Sequence, residues 1–348
     1  MRAIELQVTD VAFGGKGVGR FDGKAVFVPY TIDGEKIVAR IVRERTKFAE
    51  AQLESVNQRS PHRVEPRCPY FGRCGGCAYQ HIEYEHQLAL KWRQVRDILQ
   101  RIGKFENIPL RPIVPAPHEY GYRNRITVHA QEGGIGFFQR DSNRLIDIER
   151  CPIARDEVNA ALREFRTRRP RDGHYTLRAA EGPRVFAQTN DDVAGSLRDF
   201  IDSIIPANQQ LLVDAFCGAG FFAKTLMPKF KQVVGIDWDR FAIEEARKKA
   251  APNETYIAGD VADELAKLGI TTSFALIVDP PATGLTESMR QIILEMAPET
   301  FIYVSCNPAT LARDLKNLTS NFQIESVTPF DMFPQTAEIE VVAHLTDL

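Results

Sequence analysis

Apolar and polar positions change their period more than once along this chain. From Ile4 to Val56 the pattern is short and alternating, interrupted at glycine-rich points such as Gly14-Gly15-Lys16-Gly17 and Asp22-Gly23-Lys24. Alternation turns one set of side chains inward and the other outward, and closely spaced short strands predict a small β-barrel of the OB type over residues 1–58. A polar linker, Gln58-Arg59-Ser60-Pro61-His62, ends it. Leu88, Trp92, Val95, Leu99 and Ile102 then recur at helical spacing, so that one stripe faces a core. Strand character returns at Arg125-Ile126-Thr127-Val128 and Gly136-Phe137-Phe138, which gives residues 59–185 an α+β reading.

Past residue 186 the pattern changes to unbroken apolar runs: Leu211–Val213, Val233–Ile236, Thr255–Ile257, Phe274–Val278 and Phe301–Val304, alternating with helical stretches. Strands covered on both faces lack polar alternation, and this order predicts a Rossmann-like parallel α/β sheet over residues 186–348. A last alternating run, Phe333 to Val342, predicts a further strand with Glu338 and Glu340 on one face.

Several of the apolar runs end in a polar residue, and open α/β sheets bind ligands just beyond the carboxyl ends of their strands. Asp214 leads into Phe216-Cys217-Gly218-Ala219-Gly220-Phe221, where glycines let backbone approach a ligand and a helix is expected to start at Phe221 with its unpaired N–H groups. Asp237 ends the next strand, placed for a ribose diol; Asp260 ends another, within reach of an adenine amino group. Each acid has a plain alternative as a helix N-cap. The Gly218–Ala223 spacing also fits the dinucleotide fingerprint, so a nicotinamide oxidoreductase is a rival. The Asp279-Pro280-Pro281 turn has no special place in such an enzyme, whereas S-adenosylmethionine-dependent methyltransferases give it one. Cys306, in Ser305-Cys306-Asn307-Pro308, follows the run at Phe301–Val304 and is a candidate nucleophile, against the ordinary reading of a small packed side chain.

Together these segments resemble the RNA 5-methyluridine (uracil-C5) methyltransferase family over essentially the whole chain. The Ser305–Pro308 turn is similar to that family's nucleophile motif, and Phe333–Glu340 to its terminal motif, which implies Cys306 as nucleophile and Glu340 as proton acceptor. The resemblance carries cofactor contacts to Gln188, Phe216, Asp237, Asp279 and Asp260, with Gly218, Gly220 and Phe221 in the loop between. It implies S-adenosylmethionine as cofactor and uracil as the base, since cytosine-specific relatives carry a cysteine in the Asp279 motif. Two positions depart from the family pattern: Ala282 stands where a basic residue is usual, and Phe221 where a small polar one is common. The first 58 residues resemble the TRAM domain, an RNA-binding barrel, with Lys16, Arg20, Phe21 and Lys24 as candidate contacts.

Cysteine usage and charge extend the picture. Cys68, Cys74 and Cys77 lie in a glycine-rich loop, and Cys151 completes four thiols that could hold zinc or a [4Fe–4S] cluster. The cluster is favoured, helped by its presence in many family members, with a structural or RNA-positioning role. Cys217 is read as packing. Residues 1–190 carry 32 Lys/Arg against 23 Asp/Glu, and residues 191–348 carry 12 against 23, so a net charge of −2 conceals a basic half suited to a polyanion. Arg123 and Arg125, the latter preferred, and Phe186 as a stacking surface are the candidate RNA contacts of the central region. Large-subunit ribosomal RNA is the favoured substrate, because barrel plus cluster suggests that branch, with transfer RNA next; a non-catalytic iron–sulfur RNA-binding protein is the remaining alternative. The absence of a long apolar run and of an apolar leader in MRAIELQVTD leads to the expectation of a cytoplasmic protein, taken as a monomer without obligate protein partner.

Overall fold

A computed structural model describes residues 2–179 and 188–348. The chain divides into two compact units, neither continuous in sequence. The described part of the first comprises residues 2–94, 116–179 and 333–338; that of the second comprises 95–115, 188–332 and 339–348. The barrel thus shares one unit with most of the central region, whose residues 95–115 fall in the second.

The first unit opens with β1 (Ala3–Gln7), β2 (Asp10–Ala12), β3 (Lys16–Phe21), β4 (Lys24–Pro29), β5 (Lys36–Glu44) and β6 (Phe48–Gln58), in the order β1-β5-β6-β4-β3-β2. Alternate residues, among them Ile4, Leu6, Val26, Val28, Ile37 and Ala39, fill its interior. Gly19 marks the close approach of β3 to β1, where an added Cβ would lie 2.4 Å from the Gln7 carbonyl oxygen. A second sheet of this unit joins β7 (Arg125–Gln131), β8 (Gly134–Phe138), β9 (Leu145–Asp147) and β10 (Gly173–Arg178) in the order β10-β7-β8-β9. Val158 and Leu162 of α2 (Asp156–Thr167) pack on Ile126, Val128 and Ile135 of this sheet, giving the unit a separate small core.

The expected amphipathic helix is present but shorter than its stripe. α1 (Tyr84–Ile98), which helix-spaced Leu88 and Val95 help to bury, gives way to a π-turn at Leu99–Gly103, and Lys104 ends it at φ +64 by donating to the Leu99 carbonyl. The wider turn rotates Ile102 out of phase, leaving it 41% exposed instead of buried.

The second unit is the α/β layer. Its strands are β11 (Gln209–Ala215), β12 (Phe230–Asp237), β13 (Glu254–Ala258), β14 (Phe274–Val278), β15 (Thr300–Ser305), β16 (Phe322–Phe330) and β17 (Glu340–Asp347). Its helices are α3 (Asp191–Ile204), α4 (Phe221–Leu226), α5 (Arg240–Lys248), α6 (Val261–Lys267), α7 (Glu287–Met296) and α8 (Pro308–Leu318). The sheet order is β13-β12-β11-β14-β15-β17-β16. Every residue of β14 is buried, as its unbroken apolar run requires. β11 through β15 are parallel, and the order reverses between β11 and β14, which opens the ligand crevice there. β17 runs antiparallel between β15 and β16. That inserted antiparallel strand departs from the 3-2-1-4-5-6 order of a dinucleotide-binding domain.

The alternation at Phe333–Val342 is not one strand. β17 begins only at Glu340, because Gln335 turns the chain at φ +68 and its carbonyl accepts from Ala78 and Tyr79 N–H at 3.1 and 3.0 Å. Glu338 and Glu340 therefore do not share a strand face. Among the described residues no helix is long and apolar enough to cross a membrane.

Candidate active site

The loop after β11 carries three left-handed residues in five: Phe216 at φ +65, Gly218 at +54 and Gly220 at +84. At Gly220 a Cβ would fall 2.7 Å from the Tyr256 hydroxyl, so glycine is required there. Phe216 holds the same region with a full side chain, a strain on the order of 1 kcal/mol of the kind that collects at functional sites. Asp237 secures the loop, its Oδ2 accepting from Gly218 N–H at 2.8 Å while Oδ1 accepts from Asp239 N–H at 2.8 Å. The loop encloses a cavity of about 340 Å³ lined by Gln188, Arg198, Phe216, Gly218, Gly220, Phe221 and Asp279, among others.

All six of the expected cofactor residues besides the two glycines can now be placed. Gln188, Phe216, Phe221 and Asp279 line the cavity; Asp237 supports its floor. Asp260 is the N-cap of α6, its Oδ1 accepting from Ala262 and Asp263 N–H, and it is absent from the cavity lining. The expectation of a helix N-terminus open to an anion also needs revision: α4 has only six residues, and its Ala223 N–H is taken by Asp214 Oδ2 at 2.9 Å. Burial, and then the Asp237 charge, pushes Asp279 up to about 7. Burial likewise raises Asp214 to about 8, with Asp279 and Asp237 adding to it. Cys217 is buried, and desolvation together with the Asp214 and Asp237 carboxylates raises its thiol, in keeping with packing.

Cys306 is the first residue past β15, half-buried and outside any disulfide. Ser305 pairs with Val341 across the β15–β17 ladder, so the antiparallel register carries Cys306 toward Glu340, the first residue of β17. Glu340 is only 3% exposed. Its position opposite Phe330 on the other side of β17 makes it part of an interior strand rather than of a solvated edge. The Cys306 turn is also tied to the Asp279 turn. Asn307 caps α8 and donates from Nδ2 to the Ala282 carbonyl at 3.0 Å; Thr310 Oγ1 donates to the same oxygen at 3.2 Å. Arg313 donates to the Thr283 carbonyl at 3.0 Å, and buried Asp314 accepts from Leu285 N–H at 2.9 Å. Sequence reading missed Asn307, Thr310, Arg313 and Asp314 as supports. Helix spacing from Cys306 was their only available signal. At Ala282 it is the carbonyl that makes the contact, which any side chain there allows.

The four cysteines meet in the first unit. Cys68, Cys74, Cys77 and Cys151 line one cavity of about 320 Å³ together with Gly75, Gly76 and Glu338. Buried Asn159 of α2 fixes Cys151 by accepting from its N–H at 2.8 Å and donating to its carbonyl at 3.0 Å. At Gly75 a Cβ would stand 3.0 Å from the Phe138 carbonyl oxygen, which keeps the loop against the small sheet. Burial drives the Cys77 thiol to about 12 and the Cys151 thiol to about 11, and neighbouring cysteines reinforce both shifts. In this placement no group of three or more His, Cys, Asp or Glu among the described residues could hold a metal ion.

The expected RNA contacts are scattered. Lys16 and Lys24 are paired with Glu50 and Glu44 at 2.8 and 2.6 Å, Arg20 donates to the Gly23 carbonyl, and Phe21 lies under the Arg2 guanidinium. Arg125 starts β7 opposite Arg178, while Arg123 lines the cysteine cavity. Phe186 lies outside the described residues.

Comparison with known proteins adds three findings. A family model described as tRNA (Uracil-5-)-methyltransferase matches residues 264–347, and the TRAM domain matches residues 2–53. An uncharacterized RNA methyltransferase of Listeria innocua is 30% identical over 444 residues, covering 99% of this chain and 98% of that protein. One of Bdellovibrio bacteriovorus is 30% identical over 371 residues, covering 98% and 94%. The crystal structure of Pyrococcus abyssi tRNA (uracil-54, C5)-methyltransferase in complex with S-adenosyl-L-homocysteine superposes with a TM-score of 0.74 at 24% identity, covering 99% of this chain and all of that one, a likeness of fold. With its glycine-loop cavity, the inserted antiparallel strand and these full-length relatives, the chain belongs to the S-adenosylmethionine-dependent RNA uracil-C5 methyltransferase family.

Proposed function

We propose that this protein methylates carbon 5 of a uridine in RNA through a transient covalent bond between Cys306 and the base. The observation that carries the reading is the register of β15 and β17, which brings Cys306 and Glu340 to neighbouring positions at the carboxyl end of the sheet. Carbon 5 of uracil is too weak a nucleophile to take a methyl group unaided. Addition of Cys306 Sγ to carbon 6 turns the ring into an enolate, and carbon 5 gains the electron pair it needs. S-adenosylmethionine, when bound, supplies an electrophilic methyl group. Glu340 then accepts the carbon-5 proton, the ring double bond re-forms, and the Sγ–C6 bond breaks. Its seclusion in an interior strand keeps water from competing for that proton.

Gln188, Phe216, Asp237 and Asp279 are the proposed cofactor contacts, in keeping with the cavity around the glycine loop. The barrel (residues 1–58) and the cysteine-bearing region (59–185) are the proposed RNA-binding parts, ahead of the catalytic part (186–348). Cys68, Cys74, Cys77 and Cys151, which line one cavity of about 320 Å³, are the proposed ligands of a [4Fe–4S] cluster. Large-subunit ribosomal RNA is the proposed substrate; transfer RNA is the second reading, favoured by the family model's description.

The test uses RNA containing 5-fluorouridine. Its methylated adduct cannot lose the carbon-5 substituent, so the protein is expected to remain bonded to RNA through denaturing electrophoresis, and Cys306→Ala to abolish the band. Glu340→Gln should accumulate adduct on ordinary RNA. A Cys306→Ser protein that turns over as fast as the parent would sink the mechanism. Mapping 5-methyluridine in ribosomal and transfer RNA from a deletion strain decides the substrate, and loss of broad visible absorption in Cys77→Ser checks the cluster.

A further inference from the structure

The glycine-loop cavity contains a cation, Arg198, whose Nε has no protein acceptor among the described residues. Arg198 comes from the middle of α3, and its guanidinium carbon stands 5.5 Å from the centroid of the Phe221 ring. Its Nε is shielded from solvent and has no hydrogen-bond acceptor among the described residues. Buried donors are nearly always paired in native proteins, so one left over at the wall of a ligand cavity points to an acceptor that arrives with the ligand. The ring beneath it, Phe221, occupies one of the two positions at which the sequence departs from the family pattern it resembles. A small polar side chain there could donate a hydrogen bond; a phenyl ring cannot. It can instead hold a guanidinium over its face, fixing the direction of the fork.

We propose that Arg198 binds the α-carboxylate of the cofactor's amino-acid end, supplying at this site the donor that Phe221 cannot. The inference rests on the S-adenosylmethionine reading above. Three observations agree on the carboxylate as its target. The planar fork of arginine matches a carboxylate with two parallel N–H···O bonds, and it stays charged at any working pH. Asp279 and the Asp237 that supports the loop make the strand-end side of the cavity acidic, a poor environment for an anion, so the negative end of a zwitterion belongs toward α3. The other cation of the cavity, Lys224, is turned toward a different ring, with its ammonium 5.8 Å from the Tyr256 centroid.

The experiment compares two probes by titration calorimetry on the full chain. S-adenosylhomocysteine carries the amino-acid end; 5′-methylthioadenosine keeps the nucleoside and thioether but lacks it. Arg198→Met is expected to weaken S-adenosylhomocysteine roughly 10- to 100-fold, the range of a charge-assisted hydrogen bond, and to leave 5′-methylthioadenosine within about twofold. Unchanged 5′-methylthioadenosine affinity also reports that the variant is folded. Arg198→Lys should recover part of the loss. Equal weakening of both probes, no weakening of either, or a selective loss in Lys224→Met instead overturns the assignment. A parent that binds neither probe overturns the cofactor reading itself, a separate outcome.

Discussion

Asp214 is a buried acid in an unfavourable place, and its replacement by asparagine tests the electrostatics of the whole crevice. The side chain is fully buried at the end of β11. One oxygen accepts from Ala223 N–H at 2.9 Å; the other has no partner among the described residues. Asp279 and Asp237 face it, with the Cys217 thiol and the Tyr256 hydroxyl close enough to feel its charge. Burial first, and those two acids second, raise it from 3.8 to about 8. The folded state then holds a proton that the unfolded chain releases near pH 4. Stability is therefore full at low pH and falls as pH rises, until the folded group also ionises. At about 1.4 kcal/mol per pH unit, the stretch from about pH 5 to pH 8 costs roughly 4 kcal/mol. For a unit of this size that is a fall in Tm of roughly 10 °C. Asparagine keeps the carbonyl that Ala223 needs and cannot ionise. Thermal melts of Asp214→Asn and parent, without added ligand, should coincide near pH 5 and separate by roughly 10 °C near pH 8, the variant being the more stable. Parallel curves across that range would refute the reasoning, since they would mean that the second oxygen has a partner and the acid ionises normally.

Other perturbations probe the supports of the two units. Glu35 is wholly buried and clasped by Arg63 at 2.5 and 2.9 Å, so Arg63→Met strands a carboxylate and should remove about 3–5 kcal/mol in chemical denaturation, with Glu35→Gln on top restoring part. Gly19→Ala places a methyl 2.4 Å from the Gln7 carbonyl oxygen and 2.7 Å from Leu6, and should lower barrel stability by about 1–3 kcal/mol, read as a lower first melting transition. Asp314 accepts from Leu285 N–H, Tyr303 Oη, Arg290 and Arg313; Asp314→Ala should cost about 3–5 kcal/mol and also lower turnover by freeing the 279–285 turn, whereas Asp314→Asn should retain more of both. Unchanged turnover in a folded Asp314→Ala protein would dissociate that turn from catalysis.

The sheet of the second unit was legible because its strands are covered on both faces: an unbroken run such as Phe274–Val278 has few other readings once a turn follows it. Elements whose conformation is set by distant partners were not. Nothing near Gln335 in sequence announces that its carbonyl will be taken by Ala78 and Tyr79, or that Gln87 will accept from its N–H at 3.1 Å. The alternation of Glu338 and Glu340 therefore read as one strand face, and it is a turn followed by a strand. Ile102 failed for a related reason. One extra residue in the π-turn at Leu99–Gly103 breaks a periodicity that was correct for the preceding turns. Asp260 shows a third kind of ambiguity, since an acid at a strand end is also an acid at the start of the next helix, and here it caps α6.

The two departures from the family pattern show how a site can keep its geometry while a motif residue changes. At position 282 the side chain is alanine, and the contact that matters runs through its carbonyl, which Asn307 and Thr310 hold at 3.0 and 3.2 Å. Backbone contacts of this kind survive substitution, so the Cys306 and Asp279 turns stay tied whatever stands at 282. Position 221 is different, because its side chain faces the cavity and no backbone atom can replace a lost donor there. A change at such a position has to be answered by another side chain aimed into the same space, and the Arg198 fork over the Phe221 ring meets that requirement. The contrast gives a criterion for reading motif departures elsewhere in the chain: those carried by main-chain atoms need no answering change, and those carried by side chains in a cavity do.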